Sequence, residues 1–256
     1  MAKVYFKQNI ADEYLNLYKS CEAKAEHFSE IDRLVEKIID NRTRYEAVAQ
    51  STGVPWYLIA VIHNMESSQN FSRHLHNGDS LNARTKHVPK DRPRSGQPPF
   101  TWEESAIDAL KLRRLHHIDE WSVSRILYEL EGYNGWGYRI YHTHVLSPYL
   151  WSYSNHYISG KYIADGTWSD TAKSKQCGAA LLIKRLEEVN EISLLSVDEP
   201  IFFYSNTFEK DAEKLQQFLN QFNGIALRVD GWPGKKTSDA MYKLFGLYLK
   251  GDSRDE

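Results

Sequence analysis

The stretch Trp56-Tyr-Leu-Ile-Ala-Val-Ile-His-Asn-Met-Glu66 is apolar on almost every side when wound as a helix. A helix without a polar face has to run through the middle of a domain, with other elements packed around it. Gly53 and Pro55 punctuate the chain just before it, and Pro55 suits a first helical turn because its missing N–H would have no partner there. The flanking sequence must supply the cover, and most of it reads as helix. From Tyr5 to Gln50, Ile31, Leu34, Val35 and Ile38 recur at helical spacing behind Ser29, whose hydroxyl can cap the free amides. Thr101-Trp-Glu-Glu104 matches a capping box and opens a helix to about His117. Ser122 opens another through Leu130, and Gly132-Tyr-Asn-Gly-Trp-Gly137 ends it. Tyr138 to Thr167 is tyrosine-rich and irregular, and Ser169 is expected to cap a helix to about Val189. The expected fold class is mainly α.

Between these helices, Ser72 to Pro99 loses its periodicity, and Asn77-Gly78 is a turn signal that predicts a small hairpin within a loop. Arg73, Arg84, Lys86, Lys90, Arg92 and Arg94 face only Asp79 and Asp91 there, a local +4 on a chain whose 32 basic and 34 acidic residues give a net charge of -2. So long a loop in a compact domain is uncommon unless it serves function. Arg84, Lys86 and Arg92 could meet carboxylates of a ligand, or could simply be solvated. The balanced total charge disfavours a nucleic-acid partner, and no apolar run approaches a membrane span. With 41% hydrophobic and 26% charged residues the chain falls in the ordinary globular range. Cys21 and Cys177 lie far apart without metal or redox spacing, which points to a reducing compartment of synthesis.

Beyond Ile192, Asp198-Glu-Pro200 reads as a connection. Leu215, Phe218, Leu219 and Phe222 then fall at helical spacing, Asp230-Gly231 makes a turn, and Thr237 can cap a last helix bearing Met241, Leu244 and Phe245. The expected division is a main domain over 1–190, a linker over 191–199 and a small unit over 200–256.

Glu66 is the informative residue for chemistry. A carboxylate behind an apolar helix, with Ile62 and Met65 beside it, loses hydration and should hold its proton to higher pH, as a general acid must. A helix-end glutamate can equally cap or pair. Glycosidic cleavage needs such a proton donor and usually a second carboxylate, for which Asp79 and Asp91 are the downstream candidates. His74, His76 and His87 could ligate a metal, but no acidic or cysteine partner has zinc-like spacing, so hydrogen bonding or substrate contact is expected and no metal or cofactor. The aromatic content of 13% includes a cluster at Trp136, Tyr149, Trp151, Tyr153 and Tyr157, which could stack on sugars or fill the core.

Leu58-Ile-Ala-Val-Ile-His-Asn-Met-Glu66-Ser67, followed by Phe71, resembles the catalytic helix and Glu-Ser motif of soluble lytic transglycosylases and goose-type lysozymes. Leu130-Glu-Gly-Tyr133-Asn134-Gly135 is similar to the Ala-Tyr-Asn-Ala-Gly motif that follows in those families. The Gly-Leu-Met-Gln stretch common there is absent, and His74-Leu-His-Asn-Gly-Asp79-Ser-Leu81 occupies its neighbourhood. The resemblance covers about residues 45–185. It implies an α+β lysozyme-like helical domain with Glu66 as general acid, Ser67 in support, and Tyr133 and Asn134 at a cleft. Asp79 and Asp91 stand 13 and 25 positions past Glu66, like the two aspartates of goose-type lysozymes. His74, His76, Asn77 and Trp136 join the expected substrate contacts. The implied activity is cleavage of the β-1,4 bond between N-acetylmuramic acid and N-acetylglucosamine in peptidoglycan, by inversion if an aspartate assists. The alternatives are a lytic transglycosylase and a non-catalytic wall-binding protein.

Val229-Asp-Gly-Trp-Pro-Gly-Lys-Lys-Thr237 is similar to the turn of three-helix peptidoglycan-binding domains. That resemblance implies wall contacts through Asp230, Gly231, Trp232, Gly234 and Thr237; a plain helical cap is the alternative. The expected partner is the glycan strand. Met1 to Ser20 shows no signal-peptide core, so synthesis in the cytoplasm is expected, with access to the wall by phage-type release, secretion-system delivery or lysis.

Overall fold

The computed structural model describes residues 4–164, 166–194, 202–209 and 211–254. Within them the chain is mainly helical, with eleven α-helices and one two-stranded sheet. In order come α1 (Gln8–Lys19), α2 (Phe28–Asp40), α3 (Arg42–Thr52), α4 (Trp56–Ser67), α5 (Trp102–Leu112) and α6 (Val123–Asn134). The short helices α7 (Gly137–Tyr141) and α8 (Pro148–Trp151) lead to strands β1 (Lys161–Ala164) and β2 (Thr167–Ser169), then α9 (Ala179–Glu188). Two compact units result, Met1–Leu194 and Leu195–Glu256, the second holding α10 (Ala212–Leu219) and α11 (Lys235–Phe245).

Helix α4 is the axis of the first unit. Leu58 to Asn64 are buried throughout, as a helix with no polar face requires, and α2, α3 and α9 pack directly on it. His63 is fully buried between Phe71 and Trp102, and burial pushes it down to about 4, so it sits there as a neutral ring. Past the helix, Ser68 and Gln69 both take left-handed backbone (φ 52 and 57), which side chains with a Cβ adopt at a cost. The Gln69 carboxamide holds the turn by donating to the Leu34 carbonyl (3.1 Å) and to Asn64 Oδ1 (3.0 Å).

Two helix starts behave as local chemistry dictates. Thr101 Oγ1 accepts from the Glu104 N–H (3.2 Å) while the Glu104 carboxylate accepts from the Thr101 N–H (2.8 Å), and the Ser122 hydroxyl accepts from the Arg125 N–H (3.2 Å). Three others differ. Ser29 lies inside α2, whose N-cap is His27; Ser169 closes β2, and α9 starts from Gly178; Thr237 lies inside α11, whose N-cap is Gly234. At 178 a Cβ would stand 2.3 Å from the Leu150 carbonyl oxygen, so the chain passes too close to α8 for anything but glycine there.

Residues 72–99 form a loop, but the expected hairpin is reduced to one isolated bridge between Arg73 and Ser80, and the paired strands lie instead at β1 and β2, with Lys161 opposite Ser169 and Tyr162 opposite Trp168. In the second unit the described residues hold two helices where three were expected. Of the linker expected over 191–199, residues 195–199 lie outside the described residues, as does Pro200. Among the described residues no helix is long and apolar enough to cross a membrane.

Candidate active site

Glu66 sits in the last turn of α4, half-buried, and is connected to a cleft through Tyr149, which lines that cleft while Glu66 does not. Burial raises its carboxyl to about 7, against the opposing pull of a hydrogen bond from Tyr149 and the charge of Arg113. The Tyr149 hydroxyl donates to Glu66 Oε1 (3.1 Å). Burial and the neighbouring carboxyl hold the Tyr149 phenol well above its ordinary range, so it remains a donor. Tyr149 occupies α8, which Pro148 opens at its first turn, and it lines a cleft of about 360 Å³ with Asn134, Tyr138, Lys161, Tyr162 and Gln176. The Gln176 carboxamide donates to the Met65 carbonyl (2.9 Å), which ties the far wall to the residue before the acid. Across from it, Gly78 comes so close that a Cβ would stand 3.1 Å from the Glu66 carbonyl oxygen.

Of the residues expected at the cleft, Asn134 lines it and Tyr133 is buried beneath it. The Tyr133 hydroxyl donates to the Leu75 carbonyl (3.3 Å), and Arg113 lies over its ring at 4.5 Å. Ser67 turns its hydroxyl back to the His63 carbonyl (3.3 Å). Trp136 points elsewhere: its ring lies on Gly132, where a Cβ would stand 2.9 Å from it, and 4.8 Å from Tyr128. Trp151, Tyr153 and Tyr157 belong to the core.

His74 and His76 are corrected from substrate contacts to internal braces, while Asn77 is half-buried and bonded within its own loop. His74 is fully buried, with Nε2–H donating to the Ala83 carbonyl and Nδ1 meeting the Ser105 hydroxyl, both at 2.8 Å. His76 is also buried and reaches Asp108 through Nε2 (2.8 Å). Burial pushes its pKa down against the attraction of Asp108. Arg92 grips both oxygens of the same Asp108 (2.8 and 2.7 Å), so its charge is spent inside the protein. Asn77 donates to the His87 carbonyl (3.1 Å) and accepts from the Asp79 N–H (3.0 Å). Among the described residues no group of three His, Cys, Asp or Glu is placed to hold a metal ion.

The two aspartates are not brought to Glu66 by any hydrogen bond. Asp79 accepts from the N–H groups of Lys86 (2.8 Å) and His87 (3.0 Å) and from His87 Nδ1 (2.6 Å). Partial burial works the other way, but these donors hold it down to about 2. Asp91 is exposed at a left-handed turn (φ 58). A larger hollow of about 480 Å³ lies beside Cys21 and Phe28, with Arg185 paired to Asp32 (2.7 Å) and Lys184 donating to the Cys21 carbonyl (2.6 Å).

In the second unit the turn expected to touch the wall is folded around Gln216. Gln216 Oε1 accepts from the N–H groups of Asp230 (2.9 Å) and Gly231 (3.0 Å), and its Nε2 donates to Asp230 Oδ1 (3.0 Å) and Thr237 Oγ1 (3.3 Å). Gly231 has φ 71 and a Cβ there would meet Phe208 at 2.5 Å, so Gly231, like buried Thr237, is corrected to a structural part. Gly234 caps α11, and Trp232 is exposed on the turn, together with Val229, Lys235 and Lys236.

The residues that sequence reasoning missed are Tyr149 as the acid's partner and Lys161, Tyr162 and Gln176 as cleft wall. Pro148 behind Ser147 is a helix-start signal that could have put Tyr149 on a helix; the other three carry no local signal. No protein-family model, no curated protein and no solved structure matches the chain.

Proposed function

We propose that this protein is a lysozyme-like enzyme that cleaves the β-1,4 bond between N-acetylmuramic acid and N-acetylglucosamine in peptidoglycan, with Glu66 as proton donor. The observation that carries the reading is the carboxyl held near 7 by burial and hydrogen-bonded to Tyr149, a residue of the cleft wall. A group with that pKa is protonated in half the molecules at neutral pH and can give its proton to the bridging oxygen as the C1–O bond breaks. The polar, aromatic wall suits sugar rings. The C-terminal unit is read as a wall-binding part with Trp232 as its exposed aromatic.

The fate of the resulting cation is where a second reading gains support. Asp79 is occupied by three donors and Asp91 is exposed, whereas Glu66 alone of the three is bonded to a residue of the cleft wall, Tyr149. This favours action by one carboxyl: the Glu66 carboxylate takes the proton of the C6 hydroxyl as that oxygen closes on C1, giving a 1,6-anhydro sugar with no water consumed. Hydrolysis by inversion requires a second carboxylate about 6.5–9.5 Å away with water between.

Glu66→Gln keeps the shape and removes the proton. Expected is a loss of at least a hundredfold in release of muropeptides from purified sacculi, with the far-ultraviolet spectrum unchanged. Full activity in that variant rejects the assignment. Mass spectrometry of the products separates the readings, since a 1,6-anhydro end lies 18 mass units below the hydrolysed one. A protein that pellets with sacculi and releases nothing is a binder.

A further inference from the structure

The cleft lined by Tyr149, the partner of Glu66, holds a charge that proton transfer does not use. Lys161 begins β1, half-buried, and lines the cleft. Among the described residues its ammonium has no ion-pair or hydrogen-bond partner, and the described lining contains no acidic side chain. Arg139 is paired with Glu131 (2.9 Å) and Glu13 (3.0 Å), and Arg113 donates to the Tyr133 carbonyl (3.0 Å) and acts on Glu66; neither lines the cleft. The strand that carries Lys161 is fixed on both sides. Lys161 pairs with Ser169, and the next residue, Tyr162, packs on Gly137, where a Cβ would stand 3.4 Å from its ring, and edge-on to Tyr138 at 5.5 Å. A lone ammonium on a fixed wall of amides, hydroxyls and phenols attracts an anion to one place, and a neutral ligand leaves that attraction unused.

We infer that Lys161 reads a carboxylate on the bound glycan, so that the cleft selects acidic amino-sugar strands over neutral ones such as chitin. The inference rests on the reading of the cleft as a glycan groove. Two sources supply the same chemistry: the lactyl carboxylate of a muramic acid without its peptide, and the carboxylates of the stem peptide.

Binding is measured by calorimetry in the Glu66→Gln protein, where glycan is held without being cut. The probes are the neutral N-acetylglucosamine hexamer, glycan strands stripped of peptide by an amidase, and strands that keep their stems. Adding Lys161→Gln is expected to lower the affinity ratio of acidic strand to neutral hexamer about tenfold. Lys161→Arg is expected to restore most of it, and added salt to erode it in the parent. A fall seen with stripped strands assigns the lactyl group; a fall confined to stem-bearing strands assigns the peptide. A ratio within twofold of the parent, or no binding of acidic strands, overturns the inference. Lysine-dependent binding in a protein whose wild type releases no muropeptide leaves the inference standing and removes the cleavage reading. Cleavage with an unchanged ratio does the reverse.

Discussion

At the scale of single residues, the candidate site depends on one acid and the phenol that holds it. Under the proposed function the protonated Glu66 is the working form, so the rate should fall as pH rises through about 7. The Tyr149 hydroxyl stabilises the ionised carboxylate and therefore works against burial. Tyr149→Phe removes that donor; the alkaline limb of the rate profile is expected to move to higher pH, while the maximal rate drops about tenfold as the acid loses its orientation. An alkaline limb that stays in place would uncouple Tyr149 from Glu66. Glu66 was legible in the sequence because its surroundings are local: the preceding turn of its own helix supplies the apolar cover. Tyr149, Lys161 and Gln176 were not, because they come to the site from chain segments 83 to 110 positions beyond Glu66. His74 and His76 misled for the same reason, since the partners that bury them, Ser105 and Asp108, sit on α5.

At the scale of elements, the loop over residues 72–99 is clamped to α5. Asp108 is shared by buried His76 and by Arg92, whose side chain is only 12% exposed. Asp108→Asn leaves the arginine without its charge partner, and a loss of about 2–4 kcal/mol in chemical denaturation is expected. Limited proteolysis at the loop's basic residues should accelerate in parallel. The control is Asp91→Asn, an exposed change expected to stay within about 0.5 kcal/mol; equal losses in both would mean that the clamp carries no particular weight. The helix starts at Thr101 and Ser122 could be read beforehand because a cap acts within four residues. Strands of four and three residues could not, since their burial does not alternate. Thr237 failed as a cap because its hydroxyl is engaged by Gln216.

At the scale of the whole molecule, the two units differ in what holds them. The first has a continuous apolar core around α4. Among the described residues the buried apolar cluster of the second is small, Leu215, Leu219, Ala240 and Leu249, so the Gln216 network carries a larger share of its stability. Gln216→Ala strands the Asp230 and Gly231 N–H groups, and a loss of about 2–4 kcal/mol is expected. The emission of exposed Trp232 in urea is the readout, and a midpoint within error of the wild type would show that the side chain is dispensable. The bond from Gln176 to the Met65 carbonyl has a consequence for how the protein comes into being. As the ribosome delivers the chain from its N-terminus, Glu66 emerges with the apolar turn that covers it, well before Tyr149 and Gln176. The bonds that fix the carboxyl and the carbonyl before it therefore form late, once the chain has been made past residue 176.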